Sequence, residues 1–266
     1  MSAPALGRPP LRLTLPALVG VALLAVPLVG LVSRVPWSQV PELLTEPAVR
    51  EALWLSLLTA TAATVACLLL GLPLAWVLAR TSFPGRGLLR GLVAVPLVMP
   101  PVVAGVALLA AFGRAGLVGA PLREAFGVTI PFTTFAVVLA HTFVSLPFFV
   151  LSVEGAMRAS SEEYDAVAAT LGAGRWTTFR RVTLPLVLPG IAAGMLLAWA
   201  RSLGEFGATI TFAGNYPGTT QTMPLLIYST LQSDPAAAYA LGLLLLVFSL
   251  LVLALLRDRW LGEARP

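Results

Sequence analysis

The sequence predicts an all-α membrane protein with six transmembrane helices and with both chain termini in the cytoplasm. Of its 266 residues, 58% are hydrophobic and only 11% are charged, whereas an ordinary soluble domain has about 45–50% and about 25%. The mean hydropathy of +0.91 leaves too little polar surface to solvate a globule of this size. The apolar segments are continuous runs of Leu, Val and Ala without two-residue alternation, which argues against a β-barrel.

Six charge-free stretches are long enough to cross a bilayer, since a spanning helix needs about 20 mainly apolar residues. They are Leu13–Ser33, Ala52–Val77, Gly91–Gly113, Ala125–Val153, Val182–Ala200 and Pro235–Leu256. The fourth stretch is longer than one span. We expect Pro131 to mark the start of its helix, which places this span near Phe132–Val153.

The first stretch could instead be a signal peptide, because Arg8 and Arg12 precede it. Its apolar run is longer than the about 7–15 residues of a signal-peptide core, and no A-x-A cleavage site closes it. We therefore predict a retained helix.

The arginines predict the orientation of the chain. All 17 basic residues are Arg, and short cytoplasmic loops carry an excess of positive charge. With a cytoplasmic N-terminus, the cytoplasmic side holds Arg8, Arg12, Arg80, Arg86, Arg90, Arg158, Arg175, Arg180, Arg181, Arg257, Arg259 and Arg265. The outer side then holds only Arg34, Arg50, Arg114, Arg123 and Arg201. The excess of arginine therefore reflects the orientation of the chain in the membrane. It gives no separate reason to expect a nucleic-acid partner.

This topology divides the chain into three parts. Residues 1–12 and 257–266 are expected to be cytoplasmic tails, and residues 13–256 form the transmembrane domain. Within that domain, residues 154–185 form a long polar cytoplasmic loop, hereafter the insertion segment.

Rare residue types exclude several kinds of chemistry. The chain has no Lys, which rules out a P-loop for ATP and Schiff-base catalysis. One Cys (Cys67) and one His (His141) cannot build a disulfide framework or a Cys/His metal cluster. A secondary transporter would need carboxylates or cation ligands within its spans, and none of the six stretches contains Asp or Glu. A membrane enzyme would be left with Ser- or Asp-based chemistry, for which no clustered candidates exist.

The insertion segment is predicted to contain two short helices. Ser160 and Glu163 have the spacing of a capping box, so a helix is expected to start at Ser160. Gly172 and Gly174 are expected to end it by supplying positive φ angles. A second helix follows, with Trp176 and Phe179 on one face.

The first of these helices has one apolar face, because four apolar residues follow the i, i+3, i+4, i+7 pattern. These residues are Tyr164, Val167, Ala168 and Leu171. Such a stripe needs a partner that covers it. The lipid surface, the underside of the chain's own bundle and another subunit are the three alternatives.

The end of the insertion segment resembles the EAA loop of ABC importer permeases. Gly172 is followed by nine residues, Val182, one further residue and Leu184-Pro185. This reproduces the spacing E-A-A-x3-G-x9-I-x-L-P, with Val in place of the usual Ile. The Glu-Ala-Ala of that motif falls on Ala166-Val167-Ala168, so its acidic residue is absent, although Asp165 stands one position earlier.

In that family the loop forms a coupling helix that fits a groove on a cytoplasmic ATPase. The resemblance implies a type I ABC importer permease fold without catalytic activity, in which ATP and magnesium bind to the partner ATPase. It also implies the partners: a second copy of this chain, two ATPase subunits, an extracytoplasmic binding protein and the plasma (inner) membrane of a prokaryote. The implied coupling residues are Tyr164, Asp165, Val167, Ala168, Leu171, Gly172, Gly174, Arg175, Trp176 and Phe179.

Three further stretches resemble molybdate permeases. They are Pro96–Gly105, Thr142–Phe148 and Ala200–Asn215, the last followed by Tyr-Pro-Gly-Thr-Thr-Gln-Thr-Met-Pro. The resemblance implies transport of molybdate or tungstate. A sulfate or thiosulfate permease is the alternative, because these ions are also tetrahedral dianions and sulfate permeases carry a related version of the third stretch.

The third stretch contains a candidate ion pair. Arg201 lies about 24 Å from the cytoplasmic end of its helix, and Glu205 follows one turn later, so the two can pair. We predict an outer gate here, with Gly204 and Gly207 allowing close helix approach. An ordinary pair at the lipid headgroups is the alternative. Ser202 and Thr209 are the polar neighbours assigned to the same path.

Two other features lie within the predicted spans. Pro96, Pro100 and Pro101 are expected to interrupt the third helix, and Pro100 and Pro101 are expected to line the transport path. Plain helix-entry geometry is the competing interpretation. For His141 we favour an interhelical hydrogen bond over a proton relay.

Overall fold

The computed structural model describes residues 11–160 and 163–261, without the side chains of residues 11, 253 and 255–261. No residue in these ranges lies in a β-strand. The helices are α1 (Leu11–Ser33), α2 (Val40–Thr45), α3 (Pro47–Arg80), α4 (Arg86–Val98), α5 (Pro101–Phe112), α6 (Gly119–Phe126), α7 (Thr134–Ala159), α8 (Glu163–Thr170), α9 (Arg175–Thr178), α10 (Leu184–Leu203), α11 (Gly207–Phe212), α12 (Met223–Ser233) and α13 (Pro235–Leu261). A π-helical turn, Phe179–Thr183, joins α9 to α10.

Five of the described helical segments are long and apolar enough to cross a membrane: α1, α3, α7, α9 continued through α10, and α13. A sixth crossing requires that α4 and α5 together form one span. Helices are therefore confirmed at five of the six predicted spans. The second is longer than expected, because α3 begins at Pro47, and proline is well suited to the first turn of a helix.

The third predicted span, Gly91–Gly113, is not one straight helix. Instead, α4 and α5 are bent by 119° relative to each other. Met99 is extended (φ −71°, ψ 127°), as favoured for a residue before proline, and Pro100 has no N–H with which to continue the helix. The expectation that Pro96 also interrupts the helix is wrong, because Pro96 lies inside α4.

The fourth span starts slightly later than predicted. The hydroxyl of Thr133 accepts a hydrogen bond from the N–H of Ala136 at 3.1 Å and so caps the first turn of α7. Phe132, just before this cap, lies at φ +64°. The helix consequently begins at Thr134 and not at Phe132.

The main core is the bundle of α3, α7 and α10, which is built on close contacts at small residues. A Cβ added to Gly71 would lie 2.6 Å from a ring carbon of Phe149, and one added to Gly190 would collide with the Cβ of Ala156. Leu78 and Ile191 are buried in the same cluster. Because lipid is as apolar as leucine, close van der Waals packing of this kind holds such helices together.

A second core lies between α5, α7 and α11, around Ala104, Val137, Ala208 and Phe212. By contrast, α1 contacts α13, and its apolar window is 0% buried. The second core joins α5, the second helix of the bent pair, to α11, the short helix that follows α10.

Candidate functional site

Among the described residues, the first helix of the insertion segment is Glu163–Thr170, and Ser160 closes the helix before it. Ser160 is the C-terminal cap of α7. Its hydroxyl donates to the carbonyl of Met157 at 2.8 Å and accepts from Nη2 of Arg80 at 2.7 Å. Its predicted role as the start of the new helix stays a prediction. Residues 161 and 162 lie outside the described residues.

Gly172 ends α8, as predicted. It lies at φ +82°, and the N–H groups of Gly172 and Ala173 donate to the carbonyls of Ala169 and Ala168, both at 3.0 Å. This is the hydrogen-bond pattern of a Schellman motif with glycine in the left-handed position. Gly174 was expected to supply a second positive φ, and this is wrong: its φ is −70°, and it serves as the N-terminal cap of α9.

The apolar stripe of α8 has no cover within the described chain. Tyr164 and Val167 are each 56% exposed and Leu171 is 82% exposed, whereas Ala168 is buried at 8%. Packing under the chain's own bundle, one of the three alternatives, therefore accounts for Ala168 alone. The other three residues present an apolar surface for lipid or for another subunit.

Asp165 lies at the edge of this stripe, near the buried Ala168, and faces the bundle. Its Oδ2 is 3.3 Å from Nε of Arg80, at the end of α3. Its Oδ1 accepts a hydrogen bond from the hydroxyl of Thr183 at 3.0 Å. From the sequence we assigned neither Arg80 nor Thr183 to the candidate site, because neither lies near Asp165 in the chain.

The second half of the insertion segment contributes aromatic side chains to a groove between α3 and α10. Trp176 stacks on Phe179 at 5.6 Å between ring centroids, so the predicted shared face is confirmed. Phe179 in turn makes an edge contact with Trp76 of α3 at 6.2 Å. Arg175 lies at the same groove and is exposed.

A buried carboxylate next to the insertion segment was missed by sequence analysis. Glu154, near the end of α7, has a side chain only 4% exposed, and it pairs with Arg90 of α4 and with Arg158 at 3.0 Å. Arg158 and Arg86 also donate to the carbonyl of Leu78 in α3. The i, i+4 spacing of Glu154 and Arg158 was the signal that could have revealed this cluster.

The predicted ion pair between Arg201 and Glu205 is present. Nη1 of Arg201 lies 2.6 Å from Oε2 of Glu205, which is 1% exposed. The other carboxylate oxygen accepts the backbone N–H of Ala208 at 2.9 Å, in the first turn of α11. Burial of Glu205 inside the protein argues against an ordinary pair among lipid headgroups. The role of the pair as a gate stays a prediction.

The other predicted gate residues occupy different surroundings. Ser202 is fully buried, and its hydroxyl is 2.8 Å from that of Ser145 in α7. Thr209 is also buried, and among the described residues its hydroxyl has no hydrogen-bond partner. Pro100 and Pro101, at the bend between α4 and α5, are exposed. Lining of a transport path by these residues stays a prediction.

The two predicted close-approach glycines differ. A Cβ added to Gly207 would lie 2.5 Å from the Cβ of Pro101, so this glycine permits the contact between α11 and α5. Gly204 is exposed and caps the end of α10. The nearest atom to an added Cβ there is the carbonyl oxygen of Ala200 at 3.8 Å. Within the described chain no other helix approaches Gly204, so close approach there stays a prediction.

His141 does not make the interhelical hydrogen bond that we favoured. It is 1% exposed, and neither ring nitrogen has a hydrogen-bond partner in the described part of the chain. Ser145, one turn further along α7, makes the interhelical bond to Ser202 instead.

The chain resembles known membrane transport proteins in both sequence and fold. Residues 68–262 match the family model described as "Binding-protein-dependent transport system inner membrane component". The chain belongs to this family. The match includes the whole insertion segment and the Arg201–Glu205 pair.

Among curated members of this family, the Mycobacterium tuberculosis protein named molybdenum transport system permease protein ModB is 56% identical over 90% of both chains. The Escherichia coli ModB protein is 42% identical over 83% of this chain and 96% of its own. The E. coli sulfate transport system permease protein CysT is 39% identical over 87% of this chain and 84% of its own. This chain is thus a permease-type subunit, and ATP hydrolysis belongs to a separate subunit of such transporters.

The fold also matches a solved structure. The crystal structure of a bacterial ABC transporter that imports the polysaccharide alginate aligns over 96% of this chain and 95% of that one, with a TM-score of 0.73 at 18% identity. The likeness confirms the importer permease fold that the EAA-like spacing implied.

Proposed function

We propose that this chain is the membrane-spanning subunit of an ATP-driven importer that carries molybdate or tungstate into the cytoplasm. The observation that carries the proposal is the 56% identity to the M. tuberculosis ModB protein over 90% of both chains. The stretch Ala200–Asn215, which holds the Arg201–Glu205 pair, resembles molybdate permeases in addition.

The proposed assembly contains two copies of this chain and two copies of a cytoplasmic ATPase. With one insertion segment per chain, two copies would offer one docking surface to each ATPase. The exposed side chains of Tyr164, Val167 and Leu171 support this docking, because exposed apolar patches rimmed by polar residues are typical of protein interfaces. Both termini and the insertion segment then lie in the cytoplasm, and α4 with α5 counts as the third of six spans.

Transport in this proposal needs no chemistry on the substrate. A binding protein delivers the oxyanion to the outer side, where the Arg201–Glu205 pair forms part of the gate. ATP closes the ATPase dimer, the insertion segments move with it, and the path at the interface of the two copies opens outward. ATP hydrolysis then returns the path to the inward-open state. Release requires that no site along the path holds the dianion tightly.

Sulfate is the second candidate substrate. The E. coli ModB and CysT proteins are 42% and 39% identical to this chain, and both classes of anion are tetrahedral dianions. The higher identity to the M. tuberculosis relative favours molybdate. We assign most of the discrimination to the binding protein, with exclusion of other ions by the gate.

Uptake of radiolabelled molybdate into proteoliposomes tests the function. The vesicles hold this chain, its ATPase and ATP inside, with the loaded binding protein outside. We expect ATP-dependent uptake that excess tungstate blocks and excess sulfate barely reduces. Equal competition by sulfate would overturn the choice of substrate, and uptake that continues without ATP would overturn the importer mechanism.

A further inference from the structure

Asp165 and Arg80 connect the insertion segment to the bundle through a contact that the EAA-like motif does not include. The acidic residue of that motif falls on Ala166, which is exposed. Successive residues of a helix differ by about 100° in direction. Asp165 therefore points from a different face of α8, where its carboxylate meets Arg80 at 3.3 Å.

Arg80 joins three segments at once. It is the last residue of α3, and its side chain is only 7% exposed. It binds Asp165 of α8, and its Nη2 donates to the hydroxyl of Ser160, the cap of α7, at 2.7 Å. A cation at this position is also favoured by the partial negative charge at the C-terminus of α3.

Asp165 likewise joins more than one segment. Besides Arg80, it accepts the hydroxyl of Thr183 at 3.0 Å. Thr183 is buried and lies in the π-helical turn directly before α10. The one carboxylate therefore ties α8 to the end of α3 and to the beginning of α10, two of the three helices of the main core.

The network continues towards α4. Arg158 of α7 and Arg86 of α4 both donate to the carbonyl of Leu78, which lies in the last turns of α3. Glu154 binds Arg90 of α4 as well as Arg158. The ends of α3, α4 and α7 are thus held together by hydrogen bonds and ion pairs next to the Arg80–Asp165 contact.

We infer that Arg80 and Asp165 are positioning residues that make α8 move as one body with the ends of α3, α7 and α10. A displacement of α8 by the ATPase would then reach the core helices directly. The apolar side chains that face the ATPase, Tyr164, Val167 and Leu171, are not needed for this link. The inference rests on the proposed function, since it names the residues that transmit the movement of the ATPase.

The test compares Asp165→Asn, Arg80→Gln and Arg80→Lys with wild type in the complete complex of permease, ATPase and binding protein. Asp165→Asn keeps the size of the side chain and an oxygen for Thr183 but loses the charge. Three quantities are measured: ATPase retained on purification, molybdate transported per ATP hydrolysed, and hydrogen exchange of the amides of residues 163–170. Arg180→Ala, which removes an exposed arginine of the same segment, is the control.

We expect Asp165→Asn and Arg80→Gln to retain the ATPase at the wild-type ratio while molybdate transported per ATP falls about tenfold or more. Exchange of the α8 amides should rise by at least a similar factor. The double variant should be no worse than either single variant, because both remove the same interaction. Arg80→Lys should recover part of the loss, and Arg180→Ala should match wild type.

Unchanged transport per ATP, or unchanged exchange in α8, would overturn the inference. Loss of the ATPase from Asp165→Asn would also overturn it, because the pair would then serve docking or folding. Failure of the wild-type complex to transport any tetrahedral oxyanion would refute the proposed function. In that case the exchange of α8 still decides whether the pair holds this helix to the bundle.

Discussion

Glu205 binds Arg201 and at the same time caps the helix that follows. One carboxylate oxygen lies 2.6 Å from the guanidinium of Arg201, and the other accepts the N–H of Ala208 at 2.9 Å. With Glu205 buried, the pair fixes the direction in which the chain leaves α10 and enters α11. The short helix α11 then packs on α5 through Gly207 and Pro101.

Substitution at Glu205 should separate these two roles. Glu205→Ala leaves the Arg201 charge and the Ala208 N–H without their partner, and breaking a buried pair costs about 3–5 kcal/mol. Glu205→Gln keeps an acceptor for Ala208 and should cost less. The melting temperature of the purified protein in detergent and the rate of transport are measured. A Glu205→Ala variant that matches wild type in both would contradict the assignment.

Exchange of the two charges should not restore function. In Arg201→Glu with Glu205→Arg the ion pair can form again, but an arginine at position 205 has no acceptor for the N–H of Ala208. We expect the double variant to remain less stable and less active than wild type. Full recovery in the same melting and uptake assays would show that the cap on α11 is unimportant.

Gly207 should be intolerant of a side chain. In Gly207→Ala the new Cβ meets the Cβ of Pro101 at 2.5 Å, and overpacking of this kind costs about 1–3 kcal/mol. Gly204→Ala is the matched control for stability, because its nearest atom is 3.8 Å away. We expect the melting temperature to fall for Gly207→Ala and to change little for Gly204→Ala. Equal effects at both glycines would contradict the close contact between α5 and α11.

Glu154 should stabilise the end of the bundle. Glu154→Gln removes the charge between Arg90 and Arg158, whose side chains are each 43% exposed. Because these arginines can turn towards water, we expect a loss of about 1–2 kcal/mol and not the full cost of a buried charge. The melting temperature measures this loss. Glu124→Gln, at an exposed glutamate of α6, is the control, and an equally small effect of both substitutions would refute the role of Glu154.

Sequence alone predicted the features that depend on local spacing. The helix–Gly172–helix unit and the Arg201–Glu205 pair follow from residues within two helical turns of one another. The proline pair Pro100-Pro101 predicted the break in the third span for the same reason, because proline restricts the backbone of its direct neighbours.

The remaining features depend on contacts between distant parts of the chain. The prolines predict a break but not its angle of 119°, and the contact of α5 with α11 at Gly207 joins residues far apart in the chain. Arg80 and Asp165 meet only because the fold brings the last residue of α3 next to α8. Gly174 was misassigned because a glycine in the sequence does not report whether its φ is positive.

The measurement that tests the account most directly is retention of the ATPase by the Gly172→Asp variant. Gly172 lies at φ +82°, and no atom of the described residues lies within 4 Å of an added Cβ, so aspartate strains the backbone by about 1 kcal/mol or more without a steric clash there. It also places a carboxylate at the proposed ATPase interface, where burial of an unpaired charge costs several kcal/mol. We expect the variant to insert normally, since no span is altered, and to lose the ATPase on purification.

Gly87→Asp is the control, at an exposed glycine of α4 with equal room for a side chain, and this variant should retain the ATPase. A Gly172→Asp variant that retains a full complement of ATPase and transports molybdate at the wild-type rate would contradict docking through the insertion segment.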